Sequence, residues 1–419
     1  MPVFEFQATT EQQAIIDAPL KSLAVVACPG SGKTATAVRR VAEVRRRLEV
    51  AGSRGHIALL SFSNIAVDTF RDEYRQLRGR DGDSDNVVIQ TVDSFLTTFI
   101  LRPHGSRAMN CPRTPYLALG TEPFLSSFRF GDAKNPIGLD ELAFDLENGK
   151  VAVHRRFKNG GAQRLDAALA KTAKQNVAAL AATGAYTYGA GRIWALVLLK
   201  NEPRIAKALA LRFPHILVDE AQDIGPFEGA LLDGLSAAGS TISLVGDFHQ
   251  SIYSFNFATG EYLRNFTSRA DVLKLPLTQN RRSVESIVKA ANLLAGTDST
   301  HFRTLPARLT GTYFWRYDLK ALPEFMSSWV SALDAAGYAI EEAAVLCRGS
   351  SLLAKLSNES SQIGKSAVKH FATAAIEREQ SSDISKVLEH CAKGVLTIVS
   401  NLPNSFISDV KNMRGDADV

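Results

Sequence analysis

Short apolar runs recur through the first half of the chain, and each ends in small or polar residues. They are Leu23-Ala24-Val25-Val26, ALLSF at 58–62, VVIQT at 87–91, HILVDE at 215–220 and TISLVGD at 241–247. Runs this short and this uniformly apolar predict buried strands. Each is followed by a segment with helical spacing, such as Ile65, Phe70 and Leu77, or the run 35–48 after the first. Alternation of strand and helix predicts an α/β fold with a parallel sheet and a ligand site at the C-terminal ends of its strands.

The pattern changes over residues 106–205. A Pro-rich loop (Pro103, Pro112, Pro115, Pro123) leads into AQRLDAALAKTAKQNVAALAATG, whose Ala- and Leu-rich spacing predicts a helical inserted subdomain. The first core then comprises 1–105 and 206–280. A second α/β pattern occupies 281–380, with strands expected at GTYFWRY (311–317) and AAVLCR (343–348) and a helix over 323–333. The remainder, 381–419, opens with SDISKVLEHCAKGVLTIVSNL and reads as helix, the start of a further insertion.

Composition narrows the class. A chain of 419 residues predicts two to three domains, and 45% hydrophobic with 22% charged residues is ordinary for a globular protein. The net charge of +5 permits nucleic acid without requiring it. Cys28, Cys111, Cys347 and Cys391 are scattered with no CxxC pair, which argues against a zinc site or a disulfide framework. The N-terminus lacks the basic start and apolar core of a secretory signal, and IWALVLL at 193–199 is too short to span a bilayer. A cytoplasmic location away from membranes is expected.

The chemistry sits at the strand ends. ACPGSGKT at 27–34 follows one strand and opens a helix, the setting of a phosphate-binding loop. Gly30 and Gly32 let the backbone curl its N–H groups inward around Ser31, and the helix N-terminus adds a positive dipole end. Lys33 would reach the terminal phosphates of a nucleotide and the Thr34 hydroxyl would hold Mg²⁺. Asp219 and Glu220 follow the strand ILV, where Asp219 could hold Mg²⁺ and Glu220 could orient or deprotonate water. An acidic turn capping the next helix would look the same in isolation. Gln250, just past the strand ending in Asp247, could bond a γ-phosphate and report its presence. Tyr253 and Phe255 follow, as core aromatics or ligand contacts, and His249 is expected to be a satisfied polar residue. Arg39, Arg40, Arg45, Arg46 and Arg47 read as a solvated face, while Arg155, Arg156, Phe157 and Lys158 mix basic and aromatic character suited to a phosphate contact.

TEQQAII, ACPGSGKT, LLSFSN, TVDSF, LVDEAQD, GDFHQSIYSF and LTQNRRS occur in an order and spacing that resembles the UvrD/Rep/PcrA family of superfamily 1 helicases. The resemblance implies two RecA-like P-loop NTPase cores with ATP and Mg²⁺ between them, and 3′-to-5′ movement on single-stranded DNA. It implies that Gln12 reads the adenine edge, that Lys33 and Thr34 meet phosphate and Mg²⁺, and that Asp219 and Glu220 are the metal and base residues. Gln250 and Arg282 would contact the γ-phosphate. Phe62, Asn64, Thr91 and Phe255 match positions that contact DNA, and aromatic faces there would stack on any base.

The chain departs from that pattern in two ways. Ala35 stands where the family has an Arg, and Arg281 where it has a Tyr, so the adenine sandwich is halved and Arg281 would stack on the base alone. The family's late motifs, a His-x-x-Lys-Gly pattern and a second catalytic arginine, are not found. The resemblance thus covers a complete first core, an insertion and the beginning of a second core. Such a chain is expected to hydrolyse ATP slowly by itself and to be incomplete for unwinding. The alternative is a nucleotide- and DNA-sensing regulatory protein that acts with a nuclease partner, as in bacterial anti-phage systems.

Overall fold

A computed structural model of the chain describes residues 6–78, 86–118, 122–157, 161–250, 257–304, 315–318 and 321–347, and parts of 352–412. Two compact units divide it, Met1–Pro306 and Ala307–Val419.

In the first unit α1 (Thr10–Ile16) leads to β1 (Leu23–Ala27), α2 (Lys33–Val50), β2 (Ile57–Ser61), α3 (Asn64–Arg78) and β3 (Val87–Thr91). A continuous helical run follows: α4 (Val92–Phe95), a π-helical stretch Leu96–Leu101, and α5 (Arg102–Met109). After β4 (Tyr116–Leu117) come β5 (Leu142–Glu147), β6 (Lys150–Arg156), β7 (Ala162–Arg164), α6 (Ala167–Ala182), β8 (Ala185–Tyr186), α7 (Tyr188–Asn201) and α8 (Pro203–Arg212). The chain then returns through β9 (His215–Val218), α9 (Pro226–Ala238), β10 (Thr241–Gly246), α10 (Glu261–Thr267), β11 (Leu273–Leu277), β12 (Gln279–Val284), α11 (Glu285–Ala295) and β13 (Thr300–Arg303).

Six strands form one sheet in the order β11-β1-β10-β9-β2-β3, with every neighbouring pair parallel. All the strand C-termini therefore lie along one edge, which brings the loops after β1, β2, β3, β9 and β10 together. Side chains alternate between the faces as the two-residue period demands. Ile57, Leu59 and Leu217 pack with Val38, Val41, Val44, Val67, Phe70 and Tyr74 from α2 and α3. Ala58, Leu60, Ile216 and Val218 face the other way, onto Phe227, Leu231 and Leu235 of α9 and onto the segment between β3 and β9. That segment shares a continuous core with the sheet face, including Phe95, Phe130, Leu139, Tyr186 and Phe213.

The segment between residues 106 and 205 holds the helices that the spacing predicts, and also an antiparallel sheet of β5, β6 and β7. Asn148 (φ 49°) and Gly149 (φ 76°) close its hairpin with two left-handed residues, the two-residue turn whose twist matches that of paired strands. In α3 the inward face is Val67, Phe70 and Tyr74, whereas Ile65 and Leu77 are exposed.

The arginines of α2 form a solvated face only in part: Arg46 is exposed, whereas Arg40 and Arg45 are buried. Arg40 is fully buried and donates to the carbonyls of Ile16, Ala18 and Pro19, fastening the end of α1 onto α2. Arg45 is buried against Gly55 O, Arg47 reaches Asp17 O and Ala18 O, and Glu43 accepts from both Arg46 and Arg47. A long guanidinium can fork among several carbonyls, which charge patterning along a helix does not reveal.

The second unit contains α12 (Leu322–Ala335), α13 (Ile384–Leu396) and α14 (Phe406–Asn412). Trp315–Tyr317 and Ala343–Cys347 form no strand, contrary to the expectation from their apolar character. Leu346 is 95% exposed. An apolar run becomes a strand only where a neighbour accepts its backbone ladder, and none is present there among the described residues. Residues 311–314 and Arg348 lie outside the described residues. No helix among the described residues is long and apolar enough to cross a membrane.

Candidate nucleotide site and nucleic-acid edge

The loop between β1 and α2 is built by left-handed glycines. Gly30 (φ 68°) and Gly32 (φ 84°) adopt a region that costs other residues strain. A Cβ on Gly30 would lie 2.8 Å from Asn280 Oδ1 and 2.9 Å from Arg282 Cβ, and one on Gly32 would lie 2.8 Å from Gln12 Nε2. Ser31 is buried, its hydroxyl donating to Cys28 O at 2.8 Å. Gly32 precedes α2 without a side-chain cap, so the helix presents free N–H groups at the loop, with Lys33 and Thr34 in its first turn. This is the electrostatic setting of a phosphate cradle.

Around the loop converge residues distant in sequence. Lys33 Nζ approaches Gln250 Oε1 at 3.5 Å across 217 positions. Gln12 is buried, donates from Nε2 to Ser31 O at 3.1 Å, and accepts the Thr9 N–H at 3.0 Å in a capping box that starts α1. Its amide thereby braces the loop. On the other side Arg281 N donates to Gly30 O at 2.9 Å, while Asn280 Oδ1 accepts from the N–H groups of Arg282 and Ser283. The Arg281 guanidinium lies 4.1 Å from the centre of the Phe302 ring, and the side chain of Arg282 is exposed.

The acidic pair sits at the end of β9. Asp219 is 3% exposed, and its Oδ1 has no hydrogen-bond partner among the described residues. Burial, reinforced by the adjacent Glu220 charge, pushes its carboxyl up to about 7, with Lys33 opposing the shift. Glu220 holds a left-handed backbone (φ 51°), an outlier of the kind that clusters at active sites. Its carboxylate accepts from Gln222 Nε2 at 2.8 Å, and Gln222 Oε1 accepts from Asp247 N at 2.9 Å. Gln222 thus ties the acidic turn to the end of β10, a role that sequence reasoning missed. Its place inside DEAQD was the signal. Asp247 is buried, one carboxylate oxygen accepting the His249 N–H and the other unpaired among the described residues. His249 belongs to no group of three or more potential metal ligands among the described residues.

Divalent metal fits this donor set. A buried carboxylate with an orphaned oxygen, at the end of β9 and within the field of Lys33, gains most from a cation that also meets phosphate. Asp219 and Thr34 are the residues that would hold it, and the glycine loop with Lys33 fits a nucleotide triphosphate tail.

The nucleic-acid candidates follow strands β2 and β3 on the same sheet edge. Phe62 is half-buried against the core, Asn64 begins α3 with an exposed side chain, and Thr91 caps α4, its hydroxyl accepting from Ser94 N at 3.2 Å. Phe255 and Tyr253 lie outside the described residues.

A parallel sheet with a phosphate loop after its first strand, an acidic pair after a neighbouring strand and a glutamine beyond a third defines a P-loop NTPase of RecA-like build. The chain belongs to the UvrD/Rep helicase family, because the family model described as the UvrD/REP helicase N-terminal domain matches residues 8–271. It is 27% identical over 312 residues to the ATP-dependent DNA helicase UvrD1 of Mycobacterium bovis, covering 64% of this chain and 37% of that protein. Against the ATP-dependent DNA helicase Rep of Escherichia coli it is 26% identical over 291 residues, covering 68% and 42%. A 102-residue match at 36% identity joins it to an ATP-dependent helicase/nuclease subunit of Carboxydothermus hydrogenoformans, over 24% of this chain and 9% of that protein. The chain therefore spans about two-fifths or less of the length of these relatives.

Proposed function

We propose that this chain binds ATP-Mg²⁺ and single-stranded DNA, and hydrolyses ATP to move 3′ to 5′ as a helicase motor. The observation that carries the reading is the buried Asp219 carboxylate, whose Oδ1 has no partner among the described residues and which feels the Lys33 charge, beside an uncapped phosphate loop. Lys33 and the N–H groups at the start of α2 would bind the phosphates, and Gln12 would hold the loop in register. Bound Mg²⁺ would neutralise charge on the phosphate oxygens. Glu220, oriented by Gln222, would take a proton from the attacking water. Gln250 would bond the γ-phosphate and sense its loss, and Arg282 would approach the same oxygens. Arg281, with its flat guanidinium, would stack on the nucleotide base.

DNA would cross the edge after β2 and β3, where Phe62 offers a face that reads no sequence and Asn64 and Thr91 offer polar contacts. Phe255 is assigned to the same strand of DNA. The second core would begin at residue 281. A second reading uses the same site: the chain would sense nucleotide and DNA for a nuclease partner, and a 102-residue match to a helicase/nuclease subunit is the observation that raises it.

The test is steady-state ATPase activity with and without oligo-dT. Stimulation by DNA that vanishes in Lys33→Ala is the expected result. Turnover indifferent to DNA, with no binding of oligo-dT, would refute the motor reading.

A further inference from the structure

Three segments meet at one largely buried guanidinium. Arg192, on α7 of the segment between β3 and β9, has a side chain only 15% exposed. Its Nε and Nη2 donate to Asp93 Oδ1 and Oδ2, both at 3.1 Å, and its Nε lies 2.9 Å from Glu228 Oε1. Asp93 sits in α4, two residues after Thr91 at the end of β3. Glu228 is 4% exposed in the first turn of α9, which begins three residues after Asp223 of the acidic motif. One side chain therefore joins the turn after β3 to the helix that continues the Asp219-Glu220 turn. The cluster adjoins a cavity of about 280 Å³, lined also by Arg156, Tyr188 and Phe257, which gives its members room to rearrange.

Buried ion pairs contribute little net stability, because desolvation offsets their attraction, and their best-attested use is to specify geometry. Here one guanidinium serves two carboxylates on different elements, so displacing either carboxylate changes the contacts of the other. We infer that Arg192 is a positioning residue that couples occupancy of the DNA edge at Thr91 to the geometry of the acidic nucleotide turn, through Asp93 on one side and Glu228 on the other. The inference rests on the motor reading above and adds to it the route by which the two ligands influence each other's affinity.

The experiment measures that influence directly. Affinity of a fluorescent oligo-dT is titrated with and without a non-hydrolysable ATP analogue and Mg²⁺, and the ratio of the two Kd values is the coupling factor. The full chain should show a factor of at least about fivefold, within the usual range of such couplings. Arg192→Lys keeps the charge but cannot hold Asp93 in a bidentate grip while reaching Glu228. Its coupling should fall to within about twofold of unity, while each ligand alone binds within about threefold of wild type. Glu228→Ala is the second variant, since it cuts α9 from the guanidinium and leaves the Asp93 pair intact. It should lose coupling in the same way. A merely structural role would lower melting temperature or both affinities together and leave the ratio alone. Coupling retained in either folded variant, or a wild-type ratio below about twofold, overturns the inference. A wild-type chain that binds neither probe overturns the motor reading itself, and this inference with it.

Discussion

Replacing Asp219 by Asn should stabilise the ligand-free chain, although Asp219 stands at the centre of the proposed site. The folded protein raises this carboxyl from its ordinary 3.8 to about 7, chiefly by burial. Between those values the folded chain keeps a proton that the unfolded chain has released. The stability associated with Asp219 therefore falls as pH rises through that window and stays reduced above it. About three pKa units at 1.36 kcal/mol each set a ceiling on the order of 4 kcal/mol. Relaxation and water entry reduce this in practice, so a gain of about 1–3 kcal/mol at pH 8 is expected. Asn is nearly isosteric with the protonated acid and never ionises, although its amide brings two N–H donors where the acid brings one O–H. At about 2 °C per kcal/mol for a unit of this size, the melting temperature should rise by roughly 2–6 °C. The assay is thermal melting of both proteins in a pH series. The advantage of the variant should shrink toward zero as pH falls to about 4. His215, fully buried beside Ser243 and pushed down to about 3 by burial, destabilises both proteins as pH falls below the ordinary imidazole range, and so cancels in the difference. A variant that melts below wild type at pH 8, or an advantage independent of pH, would refute the argument.

Glu220→Gln should leave ATP-Mg²⁺ affinity within about threefold of wild type while lowering turnover by about 10²-fold or more, as calorimetry and a steady-state ATPase assay would show. The same change removes the like charge that helps hold the Asp219 carboxyl up, so the pH window of the melting series should move to lower pH. Phe62→Ala should weaken oligo-dT binding by about 1–3 kcal/mol in a fluorescence-anisotropy titration, with little dependence on base sequence. Unchanged affinity would make Phe62 a packing residue only. Arg40→Met should destabilise the chain by about 2–4 kcal/mol in urea, because the carbonyls of Ile16, Ala18 and Pro19 lose their donor. An unchanged midpoint would show that water replaces the guanidinium there.

Local signals made much of the first unit legible. A short apolar run covered on both faces reads as a buried parallel strand, and the runs at 23–26, 58–62, 87–91, 215–220 and 241–247 each supply a strand of the one sheet. ACPGSGKT announces its loop because only glycine takes the left-handed turns at residues 30 and 32 without strain. The Asn148-Gly149 hairpin was equally open to reading, since both residues tolerate positive φ, but it lay within a segment whose Ala-rich helix dominated the periodicity. The run at 343–347 misled in the opposite direction, because apolar character alone does not supply a neighbouring strand.

What the chain determined by itself is the set of elements and the chemical character of their ends, since dihedral preference and side-chain period act over a few residues. What the tertiary structure decided is which ends meet. The approach of Lys33 to Gln250, the bracing of the loop by Gln12, and the grip of Arg192 on Asp93 and Glu228 join positions far apart in sequence. The same holds for charge. Arg40 and Arg46 are six positions apart on one helix and identical as residues, yet one is buried on three carbonyls and the other pairs with Glu43 at the surface. Burial is a property of the whole packed sheet, and with the neighbouring Glu220 charge it pushes the carboxyl of an ordinary aspartate at the end of β9 up to about 7.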